Sequence, residues 1–140
     1  MTTTLREVVF AVRHGQAALV AELAGYLVLL AADAAAVRPI LVSADALGLD
    51  ADGEVTLHGA PASEGDAERA LRGVLAGLLG LLRSPAPNLQ RVAERPELRG
   101  LATLVLELEA ALVPVNRKAA RRSLSRLYRE TARARAMVPD

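Results

Sequence analysis

The stretch Leu23-Ala24-Gly25-Tyr26-Leu27-Val28-Leu29-Leu30-Ala31-Ala32 decides the fold class. It is the longest apolar run in the chain, it is bounded by Glu22 and Asp33, and it is about half the roughly 20 residues that a bilayer span requires. A buried helix is therefore expected here, not a membrane span. The helix extends over about 17–37, with Leu19, Leu23, Leu27 and Leu30 on one face and Val20, Val28 and many alanines carrying apolar surface most of the way round. Such a helix belongs at the centre of a domain. Arg38-Pro39 ends it, because a residue before proline is steered out of helical geometry.

The composition agrees with a helical core. Of 140 residues 28 are Ala and 25 are Leu, both strong helix formers, against one Phe, two Tyr and no Trp. The length predicts a single domain over 1–140. So few aromatic side chains argue against a binder that stacks single-stranded bases. With no Cys, disulfides, thiolate metal sites and cysteine nucleophiles are excluded. Met1 leads through three threonines into an amphipathic run, without the charged and apolar pattern of a signal peptide, so a cytoplasmic location is expected.

Upstream of the central helix, Thr4-Leu5-Arg6-Glu7 has the spacing of a capping box, and Leu5, Val8, Val9 and Val12 follow at helical period up to a stop at Gly15. Downstream the period changes. Ile40-Leu41-Val42 is a short β-prone run, and Leu47-Gly48-Leu49 and Glu54-Val55-Thr56-Leu57-His58 flank a turn at Asp50-Ala51-Asp52-Gly53, which predicts a small hairpin. Residues 59–65 read as a loop. A third helix, capped by Asp66 or Ser63, is expected over about 67–83 and is apolar almost all round. Its Gly73, Gly77 and Gly80 form a smooth strip, best explained by close packing in the core or against a second copy of the chain. Ser84-Pro85-Ala86-Pro87 breaks the chain, 88–97 holds one short turn, and helices follow over about 97–112 and 117–136.

In this order the elements resemble the C-terminal lobe of eukaryotic-type protein kinases and, within it, the non-catalytic derivative known as the KIND domain. The helix ending at Gly15 and the long helix after it look like the lobe's first two helices. Residues 43–57 are similar to the run that carries the catalytic loop and the following hairpin. The helix from Glu68 to Gly80 looks like the lobe's hydrophobic spine helix, and Asn116-Arg117-Lys118-Ala119-Ala120 is similar to the segment opening its last helix. The resemblance implies a mainly α helical bundle with one small β-hairpin. It also implies lost catalysis. Carried over from Gly53, the catalytic Asp falls on Leu41, the phosphate-contacting Lys on Ser43, the metal-binding Asn on Ala46 and the second metal-binding Asp near Gly59. Phosphoryl transfer needs a positioned base and metal-held phosphates. Neither is expected, and no enzyme activity, cofactor or metal is assigned.

The remaining motifs favour structural roles. Asp50 and Asp52 suggest a calcium loop, but Gly48 and Gly59 stand where ligands are needed, so a turn is expected. His14 and His58 lack metal-ligand spacing and are assigned to a helix end and a strand end. Glu107 and Glu109, two apart, point to different sides of one helix.

Charge is distributed unevenly along the chain. Residues 1–116 carry 9 Arg and 14 acidic residues, net −5, while residues 117–140 carry 8 basic and two acidic residues, net +6. At about 100° per residue, Lys118, Arg122, Arg126, Arg129 and Arg133 fall within an arc of roughly 80° on the last helix. Ala120, Leu124, Leu127, Tyr128, Thr131 and Ala134 lie opposite. Like charges three and four apart repel by a few tenths of a kcal/mol per pair, and an anionic partner removes that repulsion. These five residues are the candidate partner-binding site. The KIND resemblance implies a non-catalytic protein-interaction module, a scaffold or adaptor, that takes an acidic surface or helical segment of another protein. The chain's own region from Asp45 to Glu54 is a further acidic candidate. Nucleic acid or acidic membrane on the same stripe is the alternative, and self-association stays open.

Overall fold

A computed structural model describes residues 2–137. Among these, six helices and one three-stranded antiparallel sheet follow in the order β1 (Thr2–Thr4), α1 (Leu5–Arg13), α2 (Ala21–Val37), β2 (Leu47–Asp50), β3 (Val55–Leu57), α3 (Glu64–Leu79), α4 (Pro87–Glu94), α5 (Leu101–Ala111) and α6 (Arg117–Met137). The chain is mainly helical with a small sheet, and no described helix is long and apolar enough to cross a membrane.

Helix α1 starts at the expected capping box: Glu7 N–H donates to the Thr4 hydroxyl and the Glu7 carboxylate accepts from Thr4 N–H at 2.9 Å. Helix α2 is the centre of the molecule. Leu23 through Leu29 are all buried, and the helix packs against α3, α5, α6 and β3. It begins at Ala21, four residues later than its apolar pattern suggests, because α6 takes both backbone groups of Ala18. The Ala18 N–H donates to Glu130 at 3.0 Å and its carbonyl accepts from Arg126 at 3.1 Å. Ala17 and Leu19 are buried from this loop, outside the helix.

The hairpin forms as expected, with Leu47 opposite Leu57 and Leu49 opposite Val55. Asp50 accepts from the backbone N–H groups of Asp52 and Glu54 at 2.9 Å, an arrangement that shapes the turn. A third strand was not expected. The three threonines of β1 pair with β2, Thr3 opposite Leu49, and the buried Thr3 hydroxyl donates to the Leu49 carbonyl. The β-prone run from Ile40 to Val42 forms only a single bridge, Ile40 with Pro61.

Helix α3 corrects the expectation twice. Ser63 caps it, accepting from Asp66 N–H, so it spans Glu64–Leu79 and not 67–83. It is also one-sided: Gly73, Gly77 and Gly80 are exposed, and nothing lies within 4 Å of where a Cβ would stand on Gly73 or Gly77. The glycine strip therefore packs against nothing in the chain. Residues 87–94 form a true helix, burying Leu89 and Val92, where one turn was expected. Helix α5 starts at Leu101 instead of 97 because carboxylates of α3 hold the backbone before it. Glu68 accepts from Arg99 and Gly100 N–H, and Glu64 from Leu101 N–H at 2.8 Å. Helix α3 thus caps α5 across a sequence gap of more than 30 residues.

Candidate interaction surface

Helix α6 is positioned by its two ends and by its buried face. Asn116 caps it, its side-chain oxygen accepting from Ala119 N–H at 3.0 Å, while Asn116 N–H donates to the Tyr26 hydroxyl at 2.6 Å. Arg117 anchors the first turn on Asp33 of α2 at 3.0 Å and Glu109 of α5 at 3.4 Å, and both carboxylates hold its guanidinium above its usual pKa despite partial burial. Ala120, Leu124, Leu127, Thr131 and Ala134 are buried. Near the C-terminal end Arg135 reaches the Glu7 carboxylate of α1.

Along one flank the hairpin turn is seated on α6. Ser125 Oγ donates to the Ala51 carbonyl at 2.7 Å, Arg121 Nε donates to the Asp52 carbonyl at 3.0 Å, and the Arg121 guanidinium also pairs with Glu54. Gly53, with φ +77°, is buried between turn and helix; a Cβ built on it would stand 2.2 Å from the Arg121 carbonyl. The acidic turn is thus an internal partner of the basic helix, as its charge suggested. The residue that receives it is Arg121, which lies outside the predicted stripe. Opposite charge on turn and helix was visible in the sequence, but the helical wheel alone does not tell which flank the turn meets.

The five predicted residues divide. Lys118, Arg122, Arg129 and Arg133 are exposed. Among the described residues Lys118, Arg122 and Arg133 make no hydrogen bond or ion pair, and Arg129 only donates to the Ser125 hydroxyl at 2.9 Å. Arg126 departs from the stripe: half-buried, it is paired with Glu130 and bonded to Ala18, where it clamps the loop before α2. The four cations without a carboxylate partner stand at i, i+4, i+11 and i+15, within an arc of about 60° and a length of about 22 Å. An open groove between Ala51 and Asp52 of the turn and Lys118, Arg122 and Arg129 of the helix runs beside them.

Other candidates have structural surroundings. His14 Nδ1 lies 2.9 Å from the Phe10 carbonyl and its ring stacks on Phe10 at the end of α1, and His58 is exposed after β3. No group of three or more potential metal ligands occurs among the described residues. Leu41 is exposed, Ser43 accepts from Ala46 N–H and Ala46 is buried. A further charge cluster, which the sequence did not point to, is built on the buried Glu68 and Arg72 with the half-buried Glu107 and Arg95. Arg72 bonds Glu68 at 2.9 Å, Glu107 at 2.7 Å and the Val92 carbonyl at 2.7 Å, and Arg95 pairs with Glu107 from the other side. Every member has its charge matched, and the cluster braces α3, α4 and α5. Glu107 and Glu109 do point apart, toward Arg72 and Arg117. No protein-family model, curated protein or solved structure matches the chain.

Proposed function

We propose that this chain is a non-catalytic protein-interaction module of degenerate kinase C-lobe type, which receives an acidic partner on the exposed face of α6. One observation carries the reading: four cations without a carboxylate partner stand in a row on a helix held rigid by its neighbours. Conformational cost on binding is therefore confined to the four side chains. The element order after β1 supports the fold half of the proposal: two helices, a hairpin and then four helices. The seated hairpin turn supports the binding half, since Arg121 on the adjoining flank of the same helix already holds the Glu54 carboxylate and the Asp52 carbonyl in place.

A thermal-shift titration with ATP and magnesium tests the absence of catalysis; no change in Tm is expected, and clear stabilisation overturns the reading. Nucleic acid or an anionic bilayer remains the competing partner. Binding of an acidic polypeptide, with no retardation of duplex DNA and no sedimentation with anionic vesicles, is the expected outcome; the reverse pattern assigns the stripe to phosphate surfaces.

A further inference from the structure

We infer that the partner segment is an acidic α-helix laid along α6, bridging two cation pairs, Lys118 with Arg122 and Arg129 with Arg133. The inference rests on the protein-interaction reading and specifies the shape of what is bound.

The spacing of the four exposed cations selects the helix. Members of each pair are four residues apart, about 6 Å along the axis, and the pair centres are 11 residues apart, about 16 Å. An extended strand rises about 3.3 Å per residue with side chains on alternate faces. It spans a pair in two residues, on one face, but needs five residues from pair to pair, an odd number that turns its second pair of carboxylates away from α6. A second helix meets all four cations from one face. Its carboxylates at i, i+4, i+11 and i+15 fall within the same arc of about 60°. The spacing reads identically in both directions, so it accommodates either orientation.

The surface between the pairs fits the same occupant. Ser125 lies there with its hydroxyl turned to Ala51 and Arg129, and Arg126 is drawn aside to Ala18 and Glu130. The middle of the face therefore carries no carboxylate; Arg129 leans over it onto Ser125 and must leave that hydroxyl to meet a partner. Residues Asp52 and Glu54 occupy the flank beside Arg121. They disfavour carboxylates on that side and direct an acidic helix toward the Arg122 and Arg133 side.

The test compares two hydrocarbon-stapled helical peptides of equal composition, one with four glutamates at i, i+4, i+11 and i+15, the other with them at i, i+2, i+5 and i+7. Affinity is read by fluorescence anisotropy across a salt series. The matched peptide is expected to bind about tenfold more tightly or better. Arg122→Gln with Arg129→Gln, whose folding is checked by circular dichroism, is expected to remove that preference, and Lys118→Gln to weaken it. Equal binding of both peptides, weakened equally by the double substitution, overturns the helical register and leaves an acidic protein partner standing. Binding of neither peptide overturns the inference, and if anionic vesicles or duplex DNA then bind, the protein-partner reading falls with it.

Discussion

Gly53 shows how one residue answers to two demands, one local and one distant. The turn needs a residue that tolerates φ +77°, and the Arg121 carbonyl needs a residue with no Cβ. Gly15 supplies a control, with φ +68° and nothing within 4 Å of a Cβ. Gly15→Ala is expected to cost only the left-handed strain, about 1–2 kcal/mol. Gly53→Ala adds displacement of the turn from α6 and is expected to cost clearly more, at least about 3 kcal/mol by the same strain plus the clash. Urea denaturation of the two variants measures the difference, and equal losses would show that the turn does not bear on the helix. Arg126 teaches the complementary lesson. Its angle places it at the edge of a basic stripe, yet its partners Ala18 and Glu130 make it a structural clamp. An Arg126→Glu variant disturbs the entry of α2, so a loss of binding in it would say little about the stripe.

At the scale of elements, α3 departs most from its pattern. Its leucines 71, 75, 78 and 79 are buried, but the glycines on its other side meet solvent. A solvent-facing glycine within a helix costs about 1 kcal/mol relative to alanine. Gly73→Ala and Gly77→Ala are therefore each expected to stabilise the chain by up to about 1 kcal/mol, raising Tm. Destabilisation by either, in a sample whose mass in solution also falls, would show that the strip packs against a second copy. Helix starts that depend on local chemistry were legible: Thr4 with Glu7, and Ser63 as one of two candidates. The starts of α2 and α5 were not. Ala18 is held by Glu130, and Leu101 by Glu64, partners 112 and 37 residues away.

Over the whole molecule the buried charge cluster links the helices that surround α2. Burial alone would raise the Glu68 pKa, but hydrogen bonds from the Arg99 and Gly100 backbone and from Arg72, with the Arg72 charge, hold it below the usual carboxylate value. A carboxyl with a lower pKa folded than unfolded stabilises the fold fully above its unfolded value, and that stability is lost as pH falls through the folded one. Acidification is thus expected to weaken the wild type in urea unfolding. Glu68→Gln leaves Arg72 with one carboxylate, and is expected to cost about 3–5 kcal/mol at neutral pH and to lose less on further acidification. An unchanged acid dependence in that variant would remove Glu68 from the account. The charge asymmetry is the other property of this scale. The acidic hairpin turn and the carboxylates of Asp33, Glu109 and Glu7 meet cations of α6. Four cations on its outward face remain for a partner.

What the sequence determined by itself is whatever depends on neighbours a few residues apart. The helical character of the core follows from Ala and Leu at helical period, the end of α2 from Pro39, the hairpin from Asp50 to Gly53, and the basic helix from its arginines. Tertiary structure alone decided what depends on the side from which the body approaches. The threonines of β1 become a strand because β2 lies beside them. The glycines of α3 are exposed because α2 takes the opposite face, and Arg126 is a clamp because the loop at Ala18 passes within its reach. Periodicity sets the angle of a side chain about its helix. Only packing of distant segments sets which angles face protein and which face water.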